Sequence, residues 1–186
     1  MITGSSHITD KQLILMEKNS MDIESHTVDH INLAQQFNPY ILIHEMRDSK
    51  QYLINLGIKS NILILPNGGG SGNILYRLLV GKYYDYSRGQ LYNITNNRNN
   101  YNLNLGFNRY NIPSIAIGNY TTQTEFESLI NQMTLRNQIV IITYHRIENI
   151  SDSYLTVSTA HFIQQMNYLK LSGVKTITLK QYLEGK

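Results

Sequence analysis

Gln138-Ile139-Val140-Ile141-Ile142-Thr143-Tyr144-His145 is the run that decides the fold. It is near-continuously apolar and β-branched, and too short for a globular helix. It therefore reads as a strand covered on both faces, as in a parallel sheet or barrel. Asn61 to Leu65 repeats the pattern and is broken abruptly by Pro66-Asn67-Gly68-Gly69-Gly70. Shorter strands are expected at Met21–Glu24, at Ile112–Ile117 with Pro113 at an edge or entrance, and at Val174–Thr178, with a strand edge near Tyr83, Tyr84 and Tyr86. Helical patterns lie between them. One runs from a Thr9 or Asp10 cap to Lys18, one covers Ile31–Phe37, and the clearest spans Tyr40 to Leu56 with Leu42, Met46, Leu53 and Leu56 inward and Gly57 at its C-cap. Others start at Ser71 or Asn73, at Thr122 or Thr124, and at Ser158 or Thr159, and a final turn covers Leu179–Leu183. Asn93 to Asn104 reads as a polar excursion. Alternating short strands and helices define an α/β fold with functional residues at strand ends.

Composition limits what such a fold can do. The 186 residues suffice for one domain, residues 1–186, with a sizeable core. Hydrophobic residues make up 41% and charged residues 16%, which argues for a folded chain. A net charge of +3 with scattered Lys and Arg gives no basic stripe and little support for a nucleic-acid function, so no nucleic-acid partner is expected. The absence of Cys removes thiolate zinc sites and cysteine nucleophiles. No apolar stretch approaches the roughly 20 residues of a membrane span, and the first residues do not read as a signal peptide. The 14 Tyr suit either core packing or carbohydrate contact.

Three segments carry residues suited to chemistry. In Ser25-His26-Thr27-Val28-Asp29-His30, a helical turn would put His26 and His30 on one face, where two neutral imidazoles can share a cation. Alone, that spacing is equally that of two surface histidines. On the same turn Asp29 caps or orients the loop rather than joining the metal, His7 is a surface residue, and His44 is an ordinary helix-face histidine. The glycines after Pro66 form either an oxyanion site built from backbone N–H groups or a flexible loop. No Lys follows them, so neither a dinucleotide nor a Walker-type phosphate-loop fingerprint is met. His145, at the end of the strongest strand, is placed to protonate a leaving group, while Arg146 and Glu148 read as solvated charges or a local pair.

Taken in order, these segments resemble the polysaccharide deacetylase family, carbohydrate esterases with a NodB-like homology domain. Met21 through His30 is similar to the family's H-[ST]-x-x-x-H motif, which implies that His26 and His30 bind the metal. Leu65-Pro66-Asn67-Gly68 is similar to its Tyr-Pro-Tyr-Gly variant, implying that the Asn67 backbone N–H stabilises the oxyanion. Tyr86-Ser87-Arg88-Gly89 resembles the segment that brings an Arg, here Arg88, near the catalytic Asp. Ile142-Thr143-Tyr144-His145 looks like the last motif, whose His is the general acid. The resemblance implies an incomplete, distorted (β/α) barrel lacking its first strand, because no Asp-Asp pair stands in the sequence to supply the base and acidic ligand. It implies a divalent metal, with zinc first and cobalt or another transition metal as alternatives. The implied partner is an N-acetylated polysaccharide or oligosaccharide, in an extracellular or cell-envelope setting. The missing acidic pair leaves two readings, an N-deacetylase impaired in this chain or an inactive glycan- or metal-binding module. An open sheet edge adds an expected homo-oligomer.

Overall fold

The computed structural model describes residues 8–70, 72–94, 102–103, 106–149 and 153–185. His7, Ser71 and most of the Asn-rich excursion lie outside them. The chain divides into two compact units, one of Met1–Gly89 with Thr178–Lys186 and one of Gln90–Ile177.

The first unit begins with α1 (Asp10–Lys18), started by a capping box between Thr9 and Gln12. The strand expected at Met21–Glu24 does not form. Ser25 alone bridges Leu63, in parallel. The reason is the Glu24 carboxylate, whose Oε2 accepts from Ser60 Oγ and from the N–H groups of Asn61 and Ile62 at 2.8–2.9 Å. A side chain thus takes the donors that a strand backbone would have used. Burial pushes the Glu24 carboxyl up, opposed by those hydrogen bonds and by Lys180. The Ile31–Phe37 helix shrinks to a 3-10 turn at Leu33–Gln35, where the Asn32 side chain takes the N–H of Ala34.

The long helix is present but not uniform. It comprises α2 (Pro39–Ile43), a π-helical turn at His44–Asp48, and α3 (Ser49–Asn55). Ser49 Oγ donates back to the carbonyls of Glu45 and Met46, which competes with regular α spacing at that point. Leu42, Met46 and Leu53 are buried, as the periodicity requires. β1 (Ile62–Ile64) follows, then a 3-10 turn at Pro66–Gly68 and α4 (Ile74–Val80). Asn73 caps α4 while its Nδ2 donates to the carbonyls of Leu33 and Gln36. α7 (Leu179–Leu183) returns to this unit. Its cap Thr178 donates to the Asp22 carboxylate, and Lys180 donates to the Lys59 carbonyl. Thr178 is therefore a helix cap, and residues 174–178 form no ladder among the described residues.

The second unit is built on β3 (Ile112–Ile117) and β4 (Ile142–Tyr144), parallel and in register from Ile115↔Ile142 to Ile117↔Tyr144. α5 (Gln123–Leu135), started by the Thr122–Glu125 capping box, lays Phe126, Leu129, Ile130 and Met133 against Ile115 and Ile117. β5 (Arg146–Ile147) and β6 (Thr156–Val157) form a small parallel pair. α6 (Thr159–Ser172) is capped by Ser158 and ends at Gly173, left-handed at φ 68°. The double coverage expected for Gln138–Tyr144 belongs to β3 instead, every residue of which is buried. β4 has three half-buried residues, because it stands last in the sheet with one neighbour.

β2 (Tyr86–Asn93) begins in the first unit and ends in the second. The strand order is β1-β2-β3-β4, with β1 parallel to β2 from Ile62↔Tyr86 to Ile64↔Arg88. The fold is thus α/β on an open sheet of four strands, half of the roughly eight that close a (β/α) barrel.

Gly118, just past β3, is held by a close approach. A Cβ there would lie 2.1 Å from the backbone oxygen of Tyr154 and 2.6 Å from the Tyr120 ring. Gly118→Ala is expected to destabilise the protein by about 1–3 kcal/mol, the usual range for forced overpacking. A urea unfolding curve with an unchanged midpoint would contradict this.

Candidate metal centre

Ser25 fixes the entrance to the first segment. Its hydroxyl donates to Ser49 Oγ and accepts from Tyr84 Oη, both at 2.8 Å, in a buried hydroxyl triangle. Its carbonyl accepts from Ile64 N at 2.8 Å. The next residue is therefore delivered to the carboxyl end of β1. There His26 Nδ1 lies 2.7 Å from the Ile64 carbonyl oxygen. A carbonyl only accepts, so Nδ1 carries the proton and Nε2 presents the lone pair in the neutral ring. This is the orientation that a metal-ligating imidazole needs.

Residues 26–30 are not helical. Thr27 (φ 69°) and His30 (φ 55°) occupy the left-handed region, which is costly for a β-branched residue above all. The helical turn expected from the spacing is thus replaced by a strained loop. Even so, the rings of His26 and His30 stand with centroids 4.8 Å apart and planes at 80°. At that separation one nitrogen of each ring can reach a common cation through bonds of roughly 2.0–2.1 Å. What holds the loop is Glu45, 1% exposed, whose Oε2 accepts from Val28 N at 2.9 Å and Asp29 N at 3.0 Å.

A second donor set lies beside the first, and sequence spacing does not reveal it. Asp29, His44 and Glu45 place one ligand atom each within 4.8 Å of one another, with Asp29 and His44 exposed and Glu45 buried. Such a set can coordinate a divalent cation. His44 Nδ1 lies 2.6 Å from Asp48 Oδ2, and hydrogen bonds from Arg47 and His44 hold the Asp48 carboxyl at about 2. Nδ1 therefore donates and Nε2 keeps the lone pair, the carboxylate–histidine arrangement common behind metals. The members of this set meet only when the 26–30 loop packs on the π turn, a juxtaposition that reading Asp29 as a loop-orienting residue and His44 as a helix-face histidine does not anticipate.

The remaining predicted residues are placed as follows. Asn67, exposed and left-handed at φ 55°, sits in the turn after β1. The N–H groups of Gly68 and Gly69 bond back to Leu65 and Pro66, while that of Asn67 has no acceptor among the described residues. Arg88 stands level with this turn, its carbonyl accepting from Leu65 N at 2.9 Å, and it is 8% exposed. Burial alone lowers its guanidinium to about 10. His145 belongs to the second unit, exposed between β4 and β5. Next to it Arg146 and Glu148 make the local pair at 3.4 Å.

No protein-family model matches the chain, and no curated protein matches it. Among solved structures, one described as Streptococcus pyogenes deacetylase PplD in complex with acetate matches with a TM-score of 0.42 and 26% identity. The match covers 48% of this chain, which spans 38% of the length of that one. Among the described residues no helix is long and apolar enough to cross a membrane.

Proposed function

We propose that this chain is a metal-dependent hydrolase domain that removes N-acetyl groups from amino-sugar polysaccharides. The observation that carries the reading is the approach of the His26 and His30 rings to 4.8 Å, with His26 Nδ1 locked on a backbone carbonyl. His26 and His30 would hold a divalent cation, zinc by the preference for imidazole, which when bound would supply Lewis acidity toward an acyl oxygen. The Asn67 N–H, left without an acceptor by the turn, donates to the oxyanion of a tetrahedral intermediate. Arg88 contributes fixed positive charge beside the turn. A polymer of acetylated amino sugars as substrate places the protein's work at the cell envelope or outside it.

The test is acetate release from an N-acetylglucosamine oligomer, measured with chelator, with zinc and with cobalt. Release that requires metal, together with metal uptake by titration, is expected. Metal uptake with no release in any condition assigns the chain to the class of glycan- or metal-binding modules without turnover. Neither uptake nor release overturns the reading altogether.

A further inference from the structure

We propose that the outward sides of α2 and α4 form a docking surface for an anionic lipid membrane. Both helices bury one side and leave apolar residues on the other. In α2, Leu42 is fully buried, whereas Tyr40 and Ile41 are exposed, as is Phe37 just ahead of the helix. In α4, Tyr76 and Val80 are fully buried, whereas Ile74 and Leu78, one turn apart, are exposed. Phe37, Tyr40, Ile74 and Leu78 are between 54% and 81% exposed, on or beside two helices that pack against each other. The two stripes start side by side. Asn73 Nδ2 donates to the Gln36 carbonyl at 2.6 Å, which brings the residues preceding Ile74 and Phe37 into contact. Single exposed apolar residues are ordinary, but a group of large ones gathered on adjoining helices marks an interaction surface.

The charge around the stripes selects the partner. Arg77 lies between Ile74 and Leu78 on the exposed side of α4, and Lys82 follows just past the end of that helix, both exposed. No Asp or Glu occurs from Ile31 to His44 or from Gly72 to Tyr84. The acid that follows α2, Glu45, is buried with its carboxylate bonded to the 26–30 loop. A surface with apolar stripes and cations beside them matches an anionic bilayer. Aromatic and aliphatic side chains enter the headgroup region while Lys and Arg meet the charged lipids. Tyr40 suits that depth, since its ring is apolar and its hydroxyl stays wet. A second copy would instead set Arg77 and Lys82 against their twins with no acid to pair them, which disfavours self-association. The inference uses none of the residues assigned to metal or hydrolysis, so it stands or falls separately from that reading.

The experiment is flotation of the whole chain with vesicles of phosphatidylcholine, alone and mixed with phosphatidylserine. Binding to the mixed vesicles is expected, about tenfold weaker on phosphatidylcholine alone and weakened by added salt. Tyr40→Ser and Leu78→Ser should each lower the partition coefficient about tenfold, because each removes a large apolar side chain from the buried area. Arg77→Gln combined with Lys82→Gln should abolish the preference for phosphatidylserine. Leu171→Ser is the control, 85% exposed on α6 in the second unit, and should bind as the wild type does. Every substituted side chain is exposed, so urea midpoints should stay near that of the wild type. Should an apolar variant fail to fold, the charge variant decides alone. No flotation, equal flotation with both vesicle types, or a loss in L171S as large as in Y40S overturns the proposal. So does a dimer in sedimentation that Y40S and L78S dissolve, which assigns the stripes to a second copy.

Discussion

His26→Ala lowers the affinity of the chain for zinc by more than about 100-fold, and His30→Ala does the same. The expectation comes from ligand number. Two imidazoles at a 4.8 Å ring separation can share one cation, and loss of either would leave a single neutral donor with an affinity close to that of free imidazole. Disturbing merely the outer partners of a ligand typically costs 10–100-fold, so removing the ligand itself lies beyond the upper end of that range. Competition with a chromophoric chelator measures it directly. The control is His44→Ala, which removes a nitrogen from the neighbouring Asp29, His44 and Glu45 set. If H44A loses the metal and H26A keeps it, the cation belongs to that set and the two-histidine reading fails.

Helix positions are legible in the sequence because their signals are local. Thr9 with Gln12 and Thr122 with Glu125 form capping boxes within one turn of chain, and Ser158 caps as its position suggests. Strands are less legible, since a strand exists only through its partners. Met21–Glu24 has the right alternation, but its neighbour's N–H groups are taken by the Glu24 carboxylate. Gln138–Tyr144 has the strongest apolar run, yet only residues 142–144 find a ladder. β2 is obscured by Ser87, Arg88 and Gly89, polar or small residues in a buried strand. Ser87 is tolerated there because Tyr76 supplies a hydroxyl at 2.6 Å, a compensation that no window on β2 itself contains.

The candidate site shows the same division. The spacing of His26 and His30 suggests that their rings approach, and they do, although by a different route from the helical turn it implies. Positive φ at Thr27 and His30 folds the chain back on itself, a conformation that side-chain identity disfavours and that tertiary contacts must impose. His44 and Glu45 are illegible as a pair of site residues. Adjacent polar residues on a helix read as a solvated face, whereas Glu45 is buried with its carboxylate bonded to the loop that it holds.

That dependence gives the second large expectation. Glu45→Ala lowers the unfolding free energy by about 2–4 kcal/mol. Two amide N–H groups bonded to one carboxylate contribute about 1.5–3 kcal/mol each, and the sum is discounted because both amides are part-buried and water can replace the lost acceptor. The same bonds hold Thr27 and His30 in left-handed conformations that cost on the order of 1 kcal/mol each. Freed of Glu45, the loop relaxes toward ordinary backbone geometry and separates the two imidazoles, so zinc affinity falls about 10-fold or more. Urea unfolding and chelator competition on one preparation measure both effects. An E45A protein as stable as the wild type and equally tight for zinc would mean that the carboxylate does not hold the loop. Glu45→Gln then separates support from ligation. The amide keeps one oxygen for the Val28 and Asp29 donors, so a supporting role preserves most of the zinc affinity. If E45Q binds as weakly as E45A while staying folded, the carboxylate itself contacts the cation, together with Asp29 and His44.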